Sequence, residues 1–145
     1  MLSTPAMVLR RLMQEAWNEG NVEVLERTHR PDCCSYDINT GEVLRRGLEA
    51  HKEYILETRR VFPDLKVEVM DVVAMKDNMA LRWVAAGTQN GEWLGAAPSG
   101  RYLVWGGITL YETEDSRIKA EWVAADHHSV WQQLGIIGRA REANG

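Results

Sequence analysis

Apolar residues recur at helical spacing in the first part of the chain and alternate with polar residues in the later part. The first apolar stripe consists of Leu9, Leu12, Met13, Ala16 and Trp17. This spacing predicts a helix, for which Thr4 is a candidate N-cap, Pro5 suits the first position and Gly20 suits the end. A second short helix is predicted from Val22 to about His29, before Pro31.

The remaining pattern predicts one more long helix and a series of strands. The helical stripe consists of Leu48, His51, Ile55, Thr58, Val61 and Phe62. Strands are predicted at residues 33–38, 65–70, 79–89, 102–112 and 117–126, with a turn at 39–41 and a short terminal helix after the last strand. The predicted order of the elements is two helices, a strand, a helix and four strands. This order indicates an α+β fold with the helices on one face of an antiparallel sheet.

The last two predicted strands are apolar on both faces. In one of them, Leu103, Trp105 and Thr109 alternate with Val104, Ile108 and Leu110. An antiparallel sheet usually exposes one face to water. We therefore expect the helices to cover one face and a second subunit to cover the outer one, as a homodimer or homotetramer.

Length and charge narrow the possible functions. The 145 residues predict a single domain spanning 1–145, and the net charge of −4 argues against a nucleic-acid partner. Basic residues cluster only as the pairs Arg10-Arg11, Arg45-Arg46 and Arg59-Arg60, which we expect at solvated helix or loop positions.

No apolar run reaches membrane-spanning length, and the first residues do not resemble a signal peptide. The adjacent cysteines 33 and 34 have no metal-ligand spacing, so no metal and a cytoplasmic location are expected.

An ordered series of short motifs runs from about residue 8 to residue 135. The motifs are Trp17-Asn18-Glu19-Gly20-Asn21, Arg30-Pro31-Asp32, Phe62-Pro63-Asp64-Leu65, Arg82-Trp83, Gly87-Thr88, Gly91-Glu92, Gly95, Pro98-Ser99-Gly100-Arg101, Gly107-Ile108, Glu121-Trp122, Asp126 and Gln132-Gln133-Leu134-Gly135. Together they resemble the SnoaL-like polyketide cyclase (ester cyclase) family. The resemblance leaves 136–145 as a C-terminal tail. It implies the cone-shaped fold of the nuclear transport factor 2-like superfamily, a curved antiparallel or mixed sheet wrapped around helices with a central pocket, and it implies dimers or larger oligomers.

The chain departs from the family at the positions that carry its chemistry. In the cyclases an aspartate on the last strand is the general acid/base, and a histidine, a glutamine and an asparagine line the pocket. Aligned without gaps, these four fall on Val123, Thr109, Gly107 and Ser35. Valine cannot transfer a proton, so an enzyme built on this chain needs another acid or base.

Two acidic residues are candidates for that role. Glu121 precedes Val123 by two residues, so strand alternation places it on the same face, about 6–7 Å away. A carboxylate in apolar surroundings is a candidate acid or base, although Glu121 could equally stand at the rim, paired with Lys119 or an arginine. Asp126 precedes the terminal helix and is either a second acid, together with a neighbouring histidine, or an N-cap.

Polar and aromatic residues on the predicted strands and first helix are candidates for substrate binding. They are Trp17, Tyr36, Asp37, Gln89, Trp105 and Thr109. Each has a structural alternative: core packing for the aromatic residues, bracing of the turn for Asp37, and hydrogen bonding at strand edges for Gln89 and Thr109. His51 lies on the apolar face of its helix, which favours a core histidine over a ligand.

These features predict a cofactor-independent enzyme that binds a small apolar molecule. The expected reaction is acid–base chemistry, cyclisation or isomerisation, on a cyclic substrate with a carbonyl group. Glu121 or Asp126 would move the proton while Tyr36, Thr109 or Gln89 holds the enolate oxygen. The alternatives are a non-catalytic relative that binds an apolar ligand, polyketide hydroxylation or epoxide hydrolysis on the same fold, and an assembly module that recruits a protein.

Overall fold

The computed structural model describes residues 4–138, which form four α-helices and a six-stranded sheet. The helices are α1 (Pro5–Leu12), α2 (Leu25–Thr28), α3 (Leu48–Val61) and α4 (His127–Gln133); a π-helical turn (Met13–Asn18) extends α1, and a 3₁₀ turn (Val22–Val24) precedes α2. The strands are β1 (His29–Asp37), β2 (Val43–Arg46), β3 (Lys66–Met75), β4 (Asn78–Thr88), β5 (Tyr102–Glu114) and β6 (Arg117–Ala125). Residues 139–145 of the predicted tail lie outside the described range.

The six strands lie in the order β2-β1-β6-β5-β4-β3. Strands β3 to β6 form an antiparallel meander, and β1 pairs in parallel with β6 and antiparallel with β2. The predicted α+β class is confirmed, and the sheet is mixed because the first strand joins the last one. This arrangement puts β6, the strand that carries Glu121, between β1 and β5.

The first helix begins and ends as its sequence predicts. Thr4 Oγ1 accepts a hydrogen bond from the Met7 amide at 3.2 Å, and the helical segment ends just before Gly20, whose φ is 78°. Asn18 joins this helix to the sheet, because its side chain accepts from the Val67 amide at 2.6 Å and donates to the Val67 carbonyl at 3.0 Å. The helix is thereby held against β3, on the concave side of the sheet.

The hydrophobic core fills one end of the space between the helices and the concave face. Its fully buried side chains include Leu9, Leu25, Phe62, Leu81, Leu103 and Ile118. Burying a side chain of this size contributes about 1.5–3 kcal/mol. The core therefore fixes α1 and α3 relative to the sheet and leaves a hollow towards β1, β2 and the end of β6.

Strand β2 was not predicted from the sequence. Only the turn before it was, and that turn is present: Asp37 Oδ1 accepts from the amides of Asn39 at 2.8 Å and Thr40 at 2.9 Å. The four residues of β2 are mostly exposed, so they show no apolar pattern. The solvated position expected for Arg45 is wrong, because pairing with β1 turns its side chain inward and leaves it 16% exposed.

The two faces of β5 differ in burial. Leu103, Trp105 and Thr109 are buried on the concave face, whereas Val104, Ile108 and Leu110 are 42–52% exposed on the outer face. The helices thus cover only one side of the sheet. No helix within residues 4–138 is long and apolar enough to cross a membrane.

Candidate active site

A cavity of about 520 Å³ lies between the concave face of the sheet and the helices. Its apolar walls include four of the six tryptophans of the chain: Trp17, Trp83, Trp93 and Trp105. Its polar wall includes Asp37, Arg45, Tyr54, Thr109, Tyr111, Glu121 and His127. Apolar walls with a few convergent polar groups are typical of small-molecule sites.

Glu121 belongs to a row of polar side chains that crosses four strands. Its Cα is paired with Ser35 on β1 and with Tyr111 on β5, and Ser35 is paired with Arg45 on β2. Residues paired in this way across a sheet share one face. The register therefore brings Arg45, Ser35, Glu121 and Tyr111 together, although they are far apart in sequence.

Two basic groups approach the Glu121 carboxylate without locking it. Arg45 Nη2 lies 3.9 Å and His51 Nε2 lies 3.7 Å from Glu121 Oε1, and the glutamate side chain is 15% exposed. Both distances exceed hydrogen-bond length. Among residues 4–138 no side chain or amide donates a hydrogen bond to this carboxylate. It is thus held by charge and remains free to exchange a proton.

Arg45 is positioned by its own contacts. Its Nη2 donates to Ser35 Oγ at 2.9 Å, and its Cζ lies 3.8 Å from the centre of the Tyr54 ring. A guanidinium over an aromatic face is attracted by the ring quadrupole. The buried Nε has no hydrogen-bond partner among the described residues, and the Arg45 side chain lines the cavity.

His51 has a defined tautomer. Its Nδ1 lies 2.7 Å from the Gly47 carbonyl oxygen and 3.5 Å from Cys33 Sγ. Because a carbonyl can only accept, Nδ1 carries the proton and Nε2 of the neutral ring presents a lone pair. That Nε2 faces Glu121 and is buried without a hydrogen-bond partner within residues 4–138.

Burial keeps the neighbouring groups protonated. It raises the pKa of Tyr111 well above its usual value, and the charge of Glu121 raises it further. Burial, followed by the Glu121 charge, raises the pKa of the Cys33 thiol to about 12. Tyr111 is therefore a hydroxyl donor, and Cys33 is a thiol instead of a nucleophilic thiolate.

Tyr36 does not lie where the sequence analysis placed it. Its ring stacks on Trp122 on the outer face of the sheet, with centroids 4.5 Å apart and planes 19° apart. Its neighbours Ser35 and Asp37 occupy the concave side. The prediction that Tyr36 holds substrate is wrong, because strand alternation points it away from the cavity.

The structure also corrects the prediction that Gln89 binds substrate. Gln89 is fully buried and organises the loop that follows β4: its Nε2 donates to the carbonyls of Gly91, Ala96 and Ala97 at 3.0–3.2 Å, and its Oε1 accepts from Ser99 Oγ at 2.6 Å. Both ends of its side-chain amide are thus bonded within the loop, and Gln89 is not part of the cavity wall.

Asp126 is a capping residue. Its exposed side chain accepts from the Ser129 amide at 3.0 Å and begins α4, outside the cavity wall, which corrects its placement as a second acid. The adjacent His127 does line the cavity, with its ring 5.6 Å from that of Trp93. Burial lowers the pKa of His127, which favours its neutral form.

The cavity wall contains four further predicted site residues besides Glu121: Trp17, Asp37, Trp105 and Thr109. Asp37 also braces its turn, and the hydrogen bonds from the Thr40 and Asn39 amides lower its pKa. Thr109 Oγ1 accepts from Trp83 Nε1 at 3.0 Å. Asp37 Oδ1 is thus committed to the turn, whereas neither oxygen of Glu121 accepts a hydrogen bond from the described residues.

Sequence reasoning missed the surroundings of Glu121. Arg45 depends on β2, which has no apolar pattern, and His51 was expected to be a core histidine. Tyr111 had a usable signal, because it follows Thr109 by two residues and therefore shares its face of β5. The positions that match the family's aspartate and histidine, Val123 and Thr109, are paired across β5 and β6 and both line the cavity.

Among residues 4–138 no group of three or more His, Cys, Asp or Glu side chains is arranged to hold a metal ion.

Comparisons with known proteins identify relatives of this fold. TsrD from Streptomyces laurentii is 27% identical, with 94% of this chain and 100% of TsrD covered and a TM-score of 0.79. IdmH from Streptomyces antibioticus, a candidate polyketide cyclase, is 29% identical over 92% of this chain and 99% of its own, with a TM-score of 0.77. A candidate polyketide cyclase from Acidithiobacillus ferrooxidans is 25% identical over 94% and 98%, with a TM-score of 0.78.

A search of curated proteins finds no match. The sequence profile of the SnoaL-like polyketide cyclases matches residues 7–134, nearly the whole chain. The arrangement of helices on one side of a six-stranded mixed sheet agrees with that match. The chain therefore belongs to the SnoaL-like polyketide cyclase family.

Proposed function

We propose that this protein is a cofactor-independent enzyme that performs acid–base chemistry on an apolar cyclic substrate with a carbonyl group. The observation that carries the proposal is the position of Glu121: its carboxylate lines an apolar cavity and accepts no hydrogen bond from the described residues. Asp37, the other carboxylate in the wall, is bound to its turn. Glu121 is therefore the proton acceptor and donor.

The groups around Glu121 support a reaction through an enolate. Glu121 removes a proton from the carbon next to the carbonyl, and the Arg45 guanidinium stabilises the negative charge that develops on the oxygen. Return of the proton to another carbon gives an isomer, and attack of the enolate on a second carbonyl of the same molecule gives a ring. Arg45 takes the role for which the sequence suggested Tyr36 or Gln89.

The shape of the cavity supports an apolar, flat substrate. Tryptophans line the walls away from Glu121, and 520 Å³ is within the range of pockets for small organic ligands. The polar groups converge at the β1–β6 side of the cavity. A substrate would thus place its carbonyl near Arg45 and its apolar rings between the tryptophans.

The outer face supports association of two or four copies. The exposed side chains Val104, Ile108 and Leu110 form an apolar strip on β5, and the stacked Tyr36–Trp122 pair continues it on β1 and β6. Contiguous apolar surfaces of this kind are typical of interfaces between subunits. We propose that a second copy covers this face, in a homodimer or homotetramer.

A passive carrier of an apolar ligand is the second candidate function. It is favoured by Val123, which stands in the cavity wall where the family's resemblance implies an aspartate. In a carrier, Glu121 and Arg45 would only orient the ligand, and no proton would move.

Proton exchange in heavy water tests the proposal. With 2-tetralone, a cyclic ketone with acidic protons next to its carbonyl, NMR would follow replacement of those protons by deuterium. We expect the wild type to accelerate the exchange and Glu121→Gln to lose about 10²–10⁴-fold in rate, whereas Glu68→Gln, an exposed glutamate of β3, keeps the wild-type rate. Exchange that is no faster than in buffer, with 2-tetralone still bound, would favour the carrier.

A further inference from the structure

A second, small space lies beside Glu121. Its volume is about 20 Å³, and its polar lining is His29, His51, Tyr54, Tyr111 and Glu121. Glu121 lines both this space and the large cavity, so it stands between them. A space of 10–15 Å³ or more with several polar partners can hold one water molecule.

The His51 ring cannot be neutral beside an ionised Glu121 without cost. Its Nδ1 proton is committed to the Gly47 carbonyl at 2.7 Å, so Nε2 of the neutral ring is an acceptor. This acceptor lies 3.7 Å from Glu121 Oε1, which is also an acceptor. Two acceptors that face each other repel, and the buried Nε2 is left without a hydrogen bond, so the pair without a proton is destabilised. A proton between them removes both penalties.

The other titratable groups around His51 do not supply that proton. Burial, followed by the proximity of His51, lowers the pKa of His29 to about 3, so His29 is neutral near pH 7. Burial raises the pKa values of the Cys33 thiol and of the Tyr54 and Tyr111 hydroxyls, which therefore keep their protons. Arg45 is always charged. His51 and Glu121 remain as the pair that can exchange a proton.

We propose that His51 and Glu121 share one proton through a water molecule in the small space, and that this proton rests on His51 Nε2 when Glu121, as the carboxylate, removes a proton from the substrate. The second part rests on the proposed function. The proton leaves the substrate carbon, whose electron pair stays as the enolate, and binds the Glu121 carboxylate. The pair then holds two protons: Glu121 returns its proton to a substrate carbon or exchanges it with water, while His51 Nε2 keeps the shared proton, so the charge of the imidazolium balances that of the enolate. His51 is thus a positioning residue that acts through Glu121.

Nitrogen NMR of the full-length protein labelled with ¹⁵N-histidine tests the shared proton without any substrate. At pH 7 we expect His51 Nδ1 to show the shift of a protonated nitrogen and Nε2 a shift between the protonated and unprotonated values. In Glu121→Gln, Nε2 should move to the unprotonated value while Nδ1 stays unchanged. In Glu68→Gln neither should move. An Nε2 shift that is the same in wild type and Glu121→Gln overturns the proposal.

The rate of exchange with 2-tetralone tests whether His51 supports the proton transfer to Glu121. We expect His51→Gln to lower kcat by roughly 10²-fold, to leave KM near the wild-type value, and to change the pH profile of kcat. His128→Gln, at an exposed position, should behave as wild type. If Glu121→Gln abolishes exchange while His51→Gln leaves kcat and its pH profile unchanged, the catalytic role of His51 fails and the proposed function stands. If the Nε2 shift responds to Glu121→Gln but the wild type catalyses no exchange, the proposed function and the catalytic role of His51 fail, and the shared proton remains.

Discussion

Arg45 Nη2 lies 3.9 Å from Glu121 Oε1, although one residue stands on the edge strand β2 and the other near the middle of the sheet. The contact spans β1, where the residue between them is Ser35. Serine is small and fully buried at this position, and it accepts a hydrogen bond from Arg45 at 2.9 Å. A larger side chain there would separate the two charges, so the small residue at position 35 allows the pair to form.

The first prediction concerns this arginine. We expect Arg45→Met to lower kcat/KM for proton exchange with 2-tetralone by about 10²–10³-fold, because the developing oxyanion loses its positive partner. The matched control is Arg46→Met, since Arg46 is exposed on the same strand. Equal exchange rates for the two variants would remove Arg45 from the mechanism, provided that both melt near the wild-type temperature.

The second prediction concerns two adjacent glycines of β5. A Cβ on Gly107 would lie 2.5 Å from Trp83 Cζ2 and 2.7 Å from the Ala124 carbonyl oxygen, so the cavity wall would have to shift. At Gly106 the nearest atom would be 3.4 Å away. We expect Gly107→Ala to lower the free energy of unfolding by about 1–3 kcal/mol, and Gly106→Ala to change it by about 0.5 kcal/mol or less. Urea unfolding measures both, and an equally stable Gly107→Ala would show that the Trp83 indole moves freely.

The sequence predicts those parts of the fold that have a periodic apolar pattern. The helical stripe of α3 and the alternation in β5 appear as expected, because each element buries one face against the core, whereas in β6 a register shift against β5 places Ile118 in the core although it has the opposite parity to Glu121. Strand β2 is different, since its residues are mostly exposed and its pairing with β1 is a tertiary contact. The mixed character of the sheet depends on the parallel pairing of β1 with β6, which no local pattern encodes.

The candidate site likewise contains residues that the sequence predicts and residues that only the tertiary structure reveals. Glu121 and Thr109 follow from alternation on long strands whose inner face is clear. Tyr36 and Asp37 are adjacent, and only the observed register decides which of them faces the cavity. His51 approaches Glu121 from a helix, so this contact depends on how α3 packs on the sheet. A contact between a helix side chain and a sheet side chain cannot be predicted from a single sequence.

The third prediction concerns acid sensitivity. Folded His29 has a pKa of about 3, compared with 6.5 for an ordinary histidine. Between these values the unfolded chain binds a proton that the folded chain does not, so the free energy of unfolding falls as the pH falls, by up to about 1.4 kcal/mol per pH unit. Above pH 6.5 His29 contributes no pH dependence.

We therefore expect urea unfolding of His29→Gln to show a smaller loss of stability between pH 6.5 and about 4.5 than the wild type. His128→Gln, which changes an exposed histidine, should keep the wild-type slope. Carboxylates such as Asp37 and Asp64, whose pKa values are lowered by hydrogen bonds, also lose stabilising charge in acid, but this loss is common to all three proteins. Identical slopes for wild type and His29→Gln would mean that the folded protein accommodates a charged His29.

The fourth prediction concerns the outer face of the sheet. Ile108 is 52% exposed at the middle of the apolar strip on β5, beside Ala124 of β6. If two copies meet on this face, a charge at position 108 is buried without a partner, which costs several kcal/mol. We expect Ile108→Glu to convert the dimer or tetramer to a monomer of 16.5 kDa in sedimentation velocity. Met7→Glu, which places the same charge at a methionine of α1 that is 55% exposed on the helical side of the sheet, should leave the assembly unchanged. A wild type that sediments as a monomer, or an Ile108→Glu variant that keeps the wild-type mass, would show that this face is not the interface.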